Sequence, residues 1–135
     1  MWSWKRPGNL GVHDGRLAPC RRTPNCVSSQ AEPADRVHAI EPIAFAGAPA
    51  EAMAALRRIV EAAPGARVVR ARDDYLYAEF RSRVMRFVDD VEFALDAAQG
   101  VIHVRSASRV GIRDFGVNRA RVERLRGTLA AALRR

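Results

Sequence analysis

The order of patterned segments predicts an α+β fold. It consists of an antiparallel sheet of four to five strands with two helices packed on one face, in the order strand, helix, four strands, helix, after a long irregular N-terminal arm. Three observations carry this reading. Two segments, one opening at Pro49 and one covering about 118–134, place apolar side chains at helical spacing. The text between Val68 and Ser108 alternates apolar and polar residues and is punctuated by turn formers. Residues 1–36 keep neither period and hold Pro7, Pro19, Pro24 and Pro33.

An arm of that length is unusual in a compact domain, because unstructured loops beyond about 15 residues are commonly functional or disordered. Leu17, Cys26 and Val27 among its turn formers favour packing on the body, a single domain over 37–135. Val37–Phe45 reads as a short strand that Pro42 confines to an edge or bulge; without it the sheet has four strands. Pro49 opens a helix with Met53, Leu56, Ile59, Val60 and Ala63 on one stripe, and Pro64-Gly65 stops it. Val68–Arg72 and Tyr75–Arg81 form a hairpin about Asp73-Asp74, with Leu76, Ala78 and Phe80 on one face and Tyr75, Tyr77 and Glu79 on the other. A strand from Val84 carries Met85, Phe87, Val91, Phe93 and Leu95 at period two, and a turn at Ala98–Gly100 leads into Val101–Ser108. Its polar face is expected to be exposed or rimmed. The last helix, Asn118–Arg134, has Val122, Leu125, Leu129, Ala132 and Leu133 on its stripe, with Arg121, Glu123, Arg124 and Arg135 mostly off it.

At 135 residues, 48% hydrophobic and 28% charged, the chain is an ordinary one-domain globule rather than a disordered or membrane-spanning one. No apolar run approaches the roughly 18 residues of a transmembrane helix, and the N-terminus lacks a signal-peptide core. A cytoplasmic location follows as the expectation, with Cys20 and Cys26 as free thiols in a packed loop. The net charge of +8 points to an anionic partner. Lys5 is the only lysine among 23 basic residues, however, so compositional bias toward Arg accounts for much of the charge. The sequence identifies no partner; a small anionic ligand is one class it admits. Nucleic acid, bound weakly by the basic last helix, is disfavoured, since no aromatic-glycine pattern of an RNA reader occurs.

Polar residues interrupt the pattern where core residues are due. Asp89 shares a face with Phe87, Val91 and Phe93, where an unpaired carboxylate costs several kcal/mol or takes up a proton, so it needs a partner. Asp90 and Glu92 fall on the opposite face, so the three acids do not form a metal triad unless a bulge at Asp89-Asp90 turns the strand by one residue. On the next strand the inward row runs Ile102, Val104, Ser106, Ser108, while His103, Arg105 and Arg109 face away. Antiparallel pairing across the turn then brings Phe93 near Ser106 and Asp89 beyond Ser108, where Arg109, Arg113 or a loop amide is expected to donate to it. Asp114 or Asn118 caps the last helix, with Gly111 and Gly116 giving the loop its freedom.

Two readings of this polar junction stay open. In the first it is noncatalytic, binding or scaffolding. In the second Arg105, Arg109, Arg113 and Arg119, with the amides at the helix start, cradle a phosphate or carboxylate as a sensor or enzyme. No nucleophile-elbow, zinc-protease, Walker or dinucleotide motif occurs, and no metal or cofactor is expected. Ser106 and Ser108 face away from His103, and a Cys26–His13 pair requires the arm to fold back.

"LGVHDGRLAPCRRTPNCVSSQ", "DYLYAEFRSRVMRFVDDVEF" and "VRSASRVGIRDFGVNRARVERLR" resemble, in order and spacing, the domain-of-unknown-function family 1499 from about Leu10 to Arg126. The resemblance implies a small bacterial and plastid-associated domain without assigned activity, whose relatives often carry an N-terminal membrane segment or export signal. The matching positions are Cys20, Pro24, Asn25, Cys26, Ser28 and Ser29 in the arm and Asp89, Asp90 and Glu92 in the acidic strand. Beyond these, Arg105, Ser106, Ser108, Arg109, Gly111, Asp114, Gly116, Asn118 and Arg119 match in the last strand and loop. Arg21-Arg22 depart from the family pattern, as does the start without a membrane segment. Together with the face count, the resemblance implies that "PNCVSSQ" packs where Asp89 meets the loop, with Asn25 and Ser28 tying that loop.

Overall fold

The structure, a computed structural model, describes residues 5–83 and 87–134. Its elements are β1 (Cys26–Ser28), β2 (Ile43–Ala44), α1 (Pro49–Ala62), β3 (Ala66–Arg72), β4 (Tyr75–Arg81), β5 (Val88–Asp96), β6 (Val101–Ser108) and α2 (Val117–Leu133). The sheet is antiparallel in the order β1-β6-β5-β4-β3, with β2 also pairing β6 beyond the end of β1. Helices α1 and α2 pack on one face, so the fold is the expected α+β. Val84, Met85 and Arg135, read above as strand and helix-end residues, lie outside the described residues.

The helices form where the spacing placed them. Pro49 presets the first turn of α1 without sacrificing a needed amide, and α1 buries Met53, Leu56 and Val60. Gly65 follows with φ +77°, in a position where a Cβ would collide with the Arg81 carbonyl. On the sheet, Leu76, Ala78, Phe80, Val91, Phe93, Ile102 and Val104 meet Val122, Leu125 and Leu129 of α2 in one core. Each large side chain buried there contributes about 1.5–3 kcal/mol.

Three departures from the sequence reading matter. The strand expected over Val37–Phe45 shrinks to Ile43–Ala44, and the sheet edge is completed by Cys26–Ser28 from the arm. A three-residue strand with no alternation carries no periodic signal; it is fixed by pairing Val27 with Ser106. Second, β5 and β6 pair with Phe93 opposite Val104 and Asp89 opposite Ser108, two residues from the expected register, which leaves every side chain on its expected face. Third, the face with Tyr75, Tyr77, Asp90, Glu92 and Arg105 is buried rather than exposed, because the arm lies across it. Leu17 packs on Tyr75 and Tyr77, with Leu10 beside them.

The arm also corrects the cysteine expectation. Cys20 and Cys26 are disulfide-bonded rather than free, their Cα atoms 5.7 Å apart. The turn around Pro24 brings them together, which spacing alone did not reveal.

Candidate functional site

The polar residues expected to form one junction divide between the two faces of the sheet. On the helix side the centre is Asn118, fully buried in the first turn of α2. Its Oδ1 accepts from Ser106 Oγ at 2.7 Å and Arg121 Nη1 at 2.9 Å. Its Nδ2 donates to Ser108 Oγ, Asp114 Oδ2 and the Asn25 carbonyl at 2.8–3.2 Å. One side chain thus joins arm, sheet, loop and helix.

Asp89 belongs to this cluster, but its donor differs from the one expected. Arg121 Nη2 donates to Asp89 Oδ2 at 2.7 Å, and the Arg121 guanidinium lies over the Phe80 ring. Arg109, expected to reach Asp89, sits on the other face, and Arg113 is exposed. The signal for Arg121 was present: residues 118, 121, 122, 125 and 129 form a helical stripe in which two polar members belong to the buried face. Reading Arg as solvated by default hid it.

Gly116 rather than Asp114 or Asn118 occupies the N-cap of α2, and Asp114, two residues before it, accepts from the amides of Gly116 and Asn118 through its two carboxylate oxygens. Burial would raise its carboxyl, but the hydrogen bonds from Asn118 and these amides outweigh it and lower the pKa. Asn118 itself points into the core instead of capping. Asn25 ties the loop through Nδ2 to the Gly111 carbonyl at 2.8 Å. Ser28, expected to do the same, accepts instead from the Gln30 amide within the arm.

On the arm side, Arg109 is the hub. Its Nε and Nη2 donate to Asp90, and Nη2 also reaches Glu79. Arg6 from the arm donates to the same Glu79 oxygen at 2.6 Å. Burial alone would raise the Glu79 carboxyl, but these two arginines overcome it and hold it at about 2. Tyr75 donates to Glu92 and Tyr77 to Asp90, both at 2.5 Å. Burial first, then the neighbouring carboxylate, pushes both phenols far above their ordinary range. The Gly11 amide adds a second donor to Glu92 Oε2 at 2.7 Å. Tyr75, Tyr77 and Glu79 were not anticipated as site residues, though the alternation had already put them on the face of Asp90 and Glu92.

Arg105 stands apart within this cluster. It is 6% exposed and sits opposite Glu92 in the ladder, yet it makes no ion pair among the described residues. Its Nη2 donates to the Pro19 carbonyl at 3.3 Å, and its Nε has no partner, nor has Glu92 Oε1. Burial lowers its pKa despite the attraction of Glu92 and Asp90. Arg105 lines a cavity of about 260 Å³ between arm and sheet, together with Lys5, Arg21, Arg109, Asp90 and Cys26.

The other members of the predicted cradle are elsewhere. Arg119 donates to the carbonyls of Arg36 and Val37, so four arginines do not converge at the start of α2. Arg126 likewise binds the carbonyls of Glu41 and Pro42, which leaves the last helix fewer uncommitted cations than its sequence implies.

A larger cleft of about 830 Å³ contains Ser29 and His103, whose Oγ and Nδ1 are 3.0 Å apart, with Asp96 3.9 Å from His103 Nε2. The trio resembles a hydrolytic triad in composition only. Asp96 is beyond hydrogen-bond reach of the ring, and Ser29 Oγ already accepts from the Val104 amide at 2.8 Å. Ser29 serves to tie β1 to β6. The Arg16 and Arg72 side chains in this cleft are committed to the Gln30 carbonyl and the Tyr75 ring. The smaller cavity is therefore the better candidate: it alone of the two holds a buried cation lacking a carboxylate partner.

Among the described residues, no helix is long and apolar enough to cross a membrane, and no group of three His, Cys, Asp or Glu side chains is placed to hold a metal. No curated protein and no solved structure matches the chain. The family described as "Protein of unknown function (DUF1499)" matches residues 16–129, a span that includes the disulfide, Asn118 and both arginines Arg105 and Arg109. The chain therefore belongs to the DUF1499 family.

Proposed function

We propose that the protein is a noncatalytic binding domain for a small anion, a phosphate or carboxylate, held between the N-terminal arm and the sheet. The observation that carries this reading is the buried, carboxylate-free Arg105 on the wall of a cavity whose other cations are Lys5, Arg21 and Arg109. A guanidinium removed from water gains most from a planar or tetrahedral anion that it can bind through two N–H groups. Arg109 is neutralised by Asp90 and Glu79, so its part is to fix the wall; Arg105 and the exposed Arg21 and Lys5 supply the attraction. The volume suits a small anion, being below the roughly 300–1,000 Å³ of pockets for drug-sized ligands. The helix-side cluster around Asn118 is the scaffold that holds the loop and arm in place.

Thermal denaturation in phosphate or succinate against chloride at equal ionic strength tests the proposal. Either anion at about a hundred times its dissociation constant adds roughly 2.7 kcal/mol to stability. Arg21→Ala, at an exposed position, keeps the fold and weakens the shift, and Arg105→Gln removes it. No shift with either anion, or a full shift in Arg105→Gln, refutes the reading.

A further inference from the structure

The loop between β6 and α2 has an apolar surface that the anion pocket does not use. Within eight residues it exposes Val110, Ile112, Phe115 and Val117, with Ile112 65% and Phe115 92% accessible. Contiguous apolar exposure on this scale marks an interaction surface, whereas single exposed apolar residues do not. Phe115 is also held there. Its φ is +54°, in the left-handed region that non-glycine residues rarely adopt, and the Asp114 carboxylate clamps the amides of Gly116 and Asn118 on its far side. Asn118 is in turn anchored to Ser106, Ser108 and Asn25, so the loop is presented by a rigid base. A ring that gains no packing in the monomer, on a backbone that disfavours it, has its use outside the monomer.

The surroundings identify the partner. The end of β4 at Arg81 and the start of β5 at Val88 lie at the same end of the sheet, since Arg81 pairs with Val88 and Asp89 with Ser108. This end carries the exposed side chains of Arg81, Arg83 and Arg113, none of which makes an ion pair among the described residues, and the half-exposed Phe87. The acids packed here are already used: Asp89 by Arg121, Asp90 and Glu79 by Arg109, and Asp114 by the amides of Gly116 and Asn118. Highly exposed apolar side chains at the same end of the sheet as exposed arginines suit a fluid, anionic surface that closes around them, rather than the preformed groove a protein would offer. We infer that this end of the molecule docks on an anionic lipid surface, with Ile112 and Phe115 inserted at the headgroup boundary and Arg81, Arg83 and Arg113 against the lipid phosphates.

Co-sedimentation of the full chain with phosphatidylcholine vesicles, with and without phosphatidylglycerol, tests this. Binding is expected only where phosphatidylglycerol is present. The Ile112→Ser/Phe115→Ser variant should lower the partition coefficient about tenfold or more, since each residue loses a buried apolar side chain. Both positions are exposed, so its melting temperature should stay that of the parent, which separates lost docking from lost folding. Arg81→Gln/Arg113→Gln should weaken binding to phosphatidylglycerol vesicles and reduce its salt dependence. The inference is overturned by the absence of binding to phosphatidylglycerol vesicles at low salt, or by equal binding of parent and Ile112→Ser/Phe115→Ser. It is also overturned if ultracentrifugation without lipid finds a dimer that this variant dissolves, which would assign the surface to a second copy.

Discussion

The two faces of the sheet bury polar residues in different ways. On the helix side, Asn118 uses both ends of its amide, Asp89 meets one arginine whose Nε alone has no hydrogen-bond partner and whose guanidinium lies over the Phe80 ring, and the surrounding core is apolar. On the arm side the carboxylates Glu79, Asp90 and Glu92 face two tyrosines and the arginines 6, 105 and 109, and both Glu92 and Arg105 retain an unpartnered buried atom. The difference teaches that burial of charge has two uses here. A network whose buried cation is paired with a carboxylate, Arg121 with Asp89, fixes the register of arm, sheet and helix. One that leaves Arg105 without a carboxylate on a cavity wall, under a cover that is itself a loop, leaves interaction capacity for something small.

Breaking the charge-paired helix-side network should cost most. Asp89→Ala strands the Arg121 guanidinium in the core and is expected to destabilise the fold by about 3–5 kcal/mol, read from chemical denaturation. Asp89→Leu with Arg121→Met should recover most of that, because the pair is then replaced by apolar volume. A single variant that melts with the parent would show that the helix-side pair carries no stability.

The disulfide probes the arm alone. Reduction is expected to cost about 2 kcal/mol or less for so short a loop. The change should fall on the arm side: tyrosine accessibility and amide exchange at residues 10–30 rise while α2 stays protected. Uniform loosening of both faces would contradict the division.

The smallest effect is a titration. The chain has two tyrosines, Tyr75 and Tyr77, and both are covered by the arm. Their folded pKa values lie above the ordinary 10.0, so their contribution to stability is complete below about pH 10 and is lost as pH rises toward the folded values. Tyrosinate absorbance should therefore stay flat past pH 10 and appear only with unfolding. A normal curve centred near 10 would mean that the arm does not cover that face.

Much of this fold was legible before any coordinates. Pro49 and Pro64-Gly65 bracket α1, Asp73-Asp74 turns the hairpin, and β6 spans Val101–Ser108 as its alternation requires. The candidate site was legible in membership more than in arrangement. Asn25, Asp89, Ser106, Ser108, Asp114 and Asn118 do meet, whereas Asp90, Glu92, Arg105 and Arg109 meet each other on the opposite face. Arg121 escaped notice because a long cationic side chain in a helix is ordinarily solvated.

By itself the sequence determined the face on which the residues of β4, β5 and β6 lie, since a period of two admits no other choice once the apolar set is placed. It also determined that Asp89 needs a partner, because an isolated buried carboxylate is too costly to keep charged. Only the tertiary structure decided which partner it has, and that the second face is covered at all. Those outcomes depend on where an aperiodic arm of thirty-odd residues comes to rest. That placement is set by contacts between distant residues, such as Gly11 with Glu92 and Arg6 with Glu79, which leave no pattern in neighbouring positions.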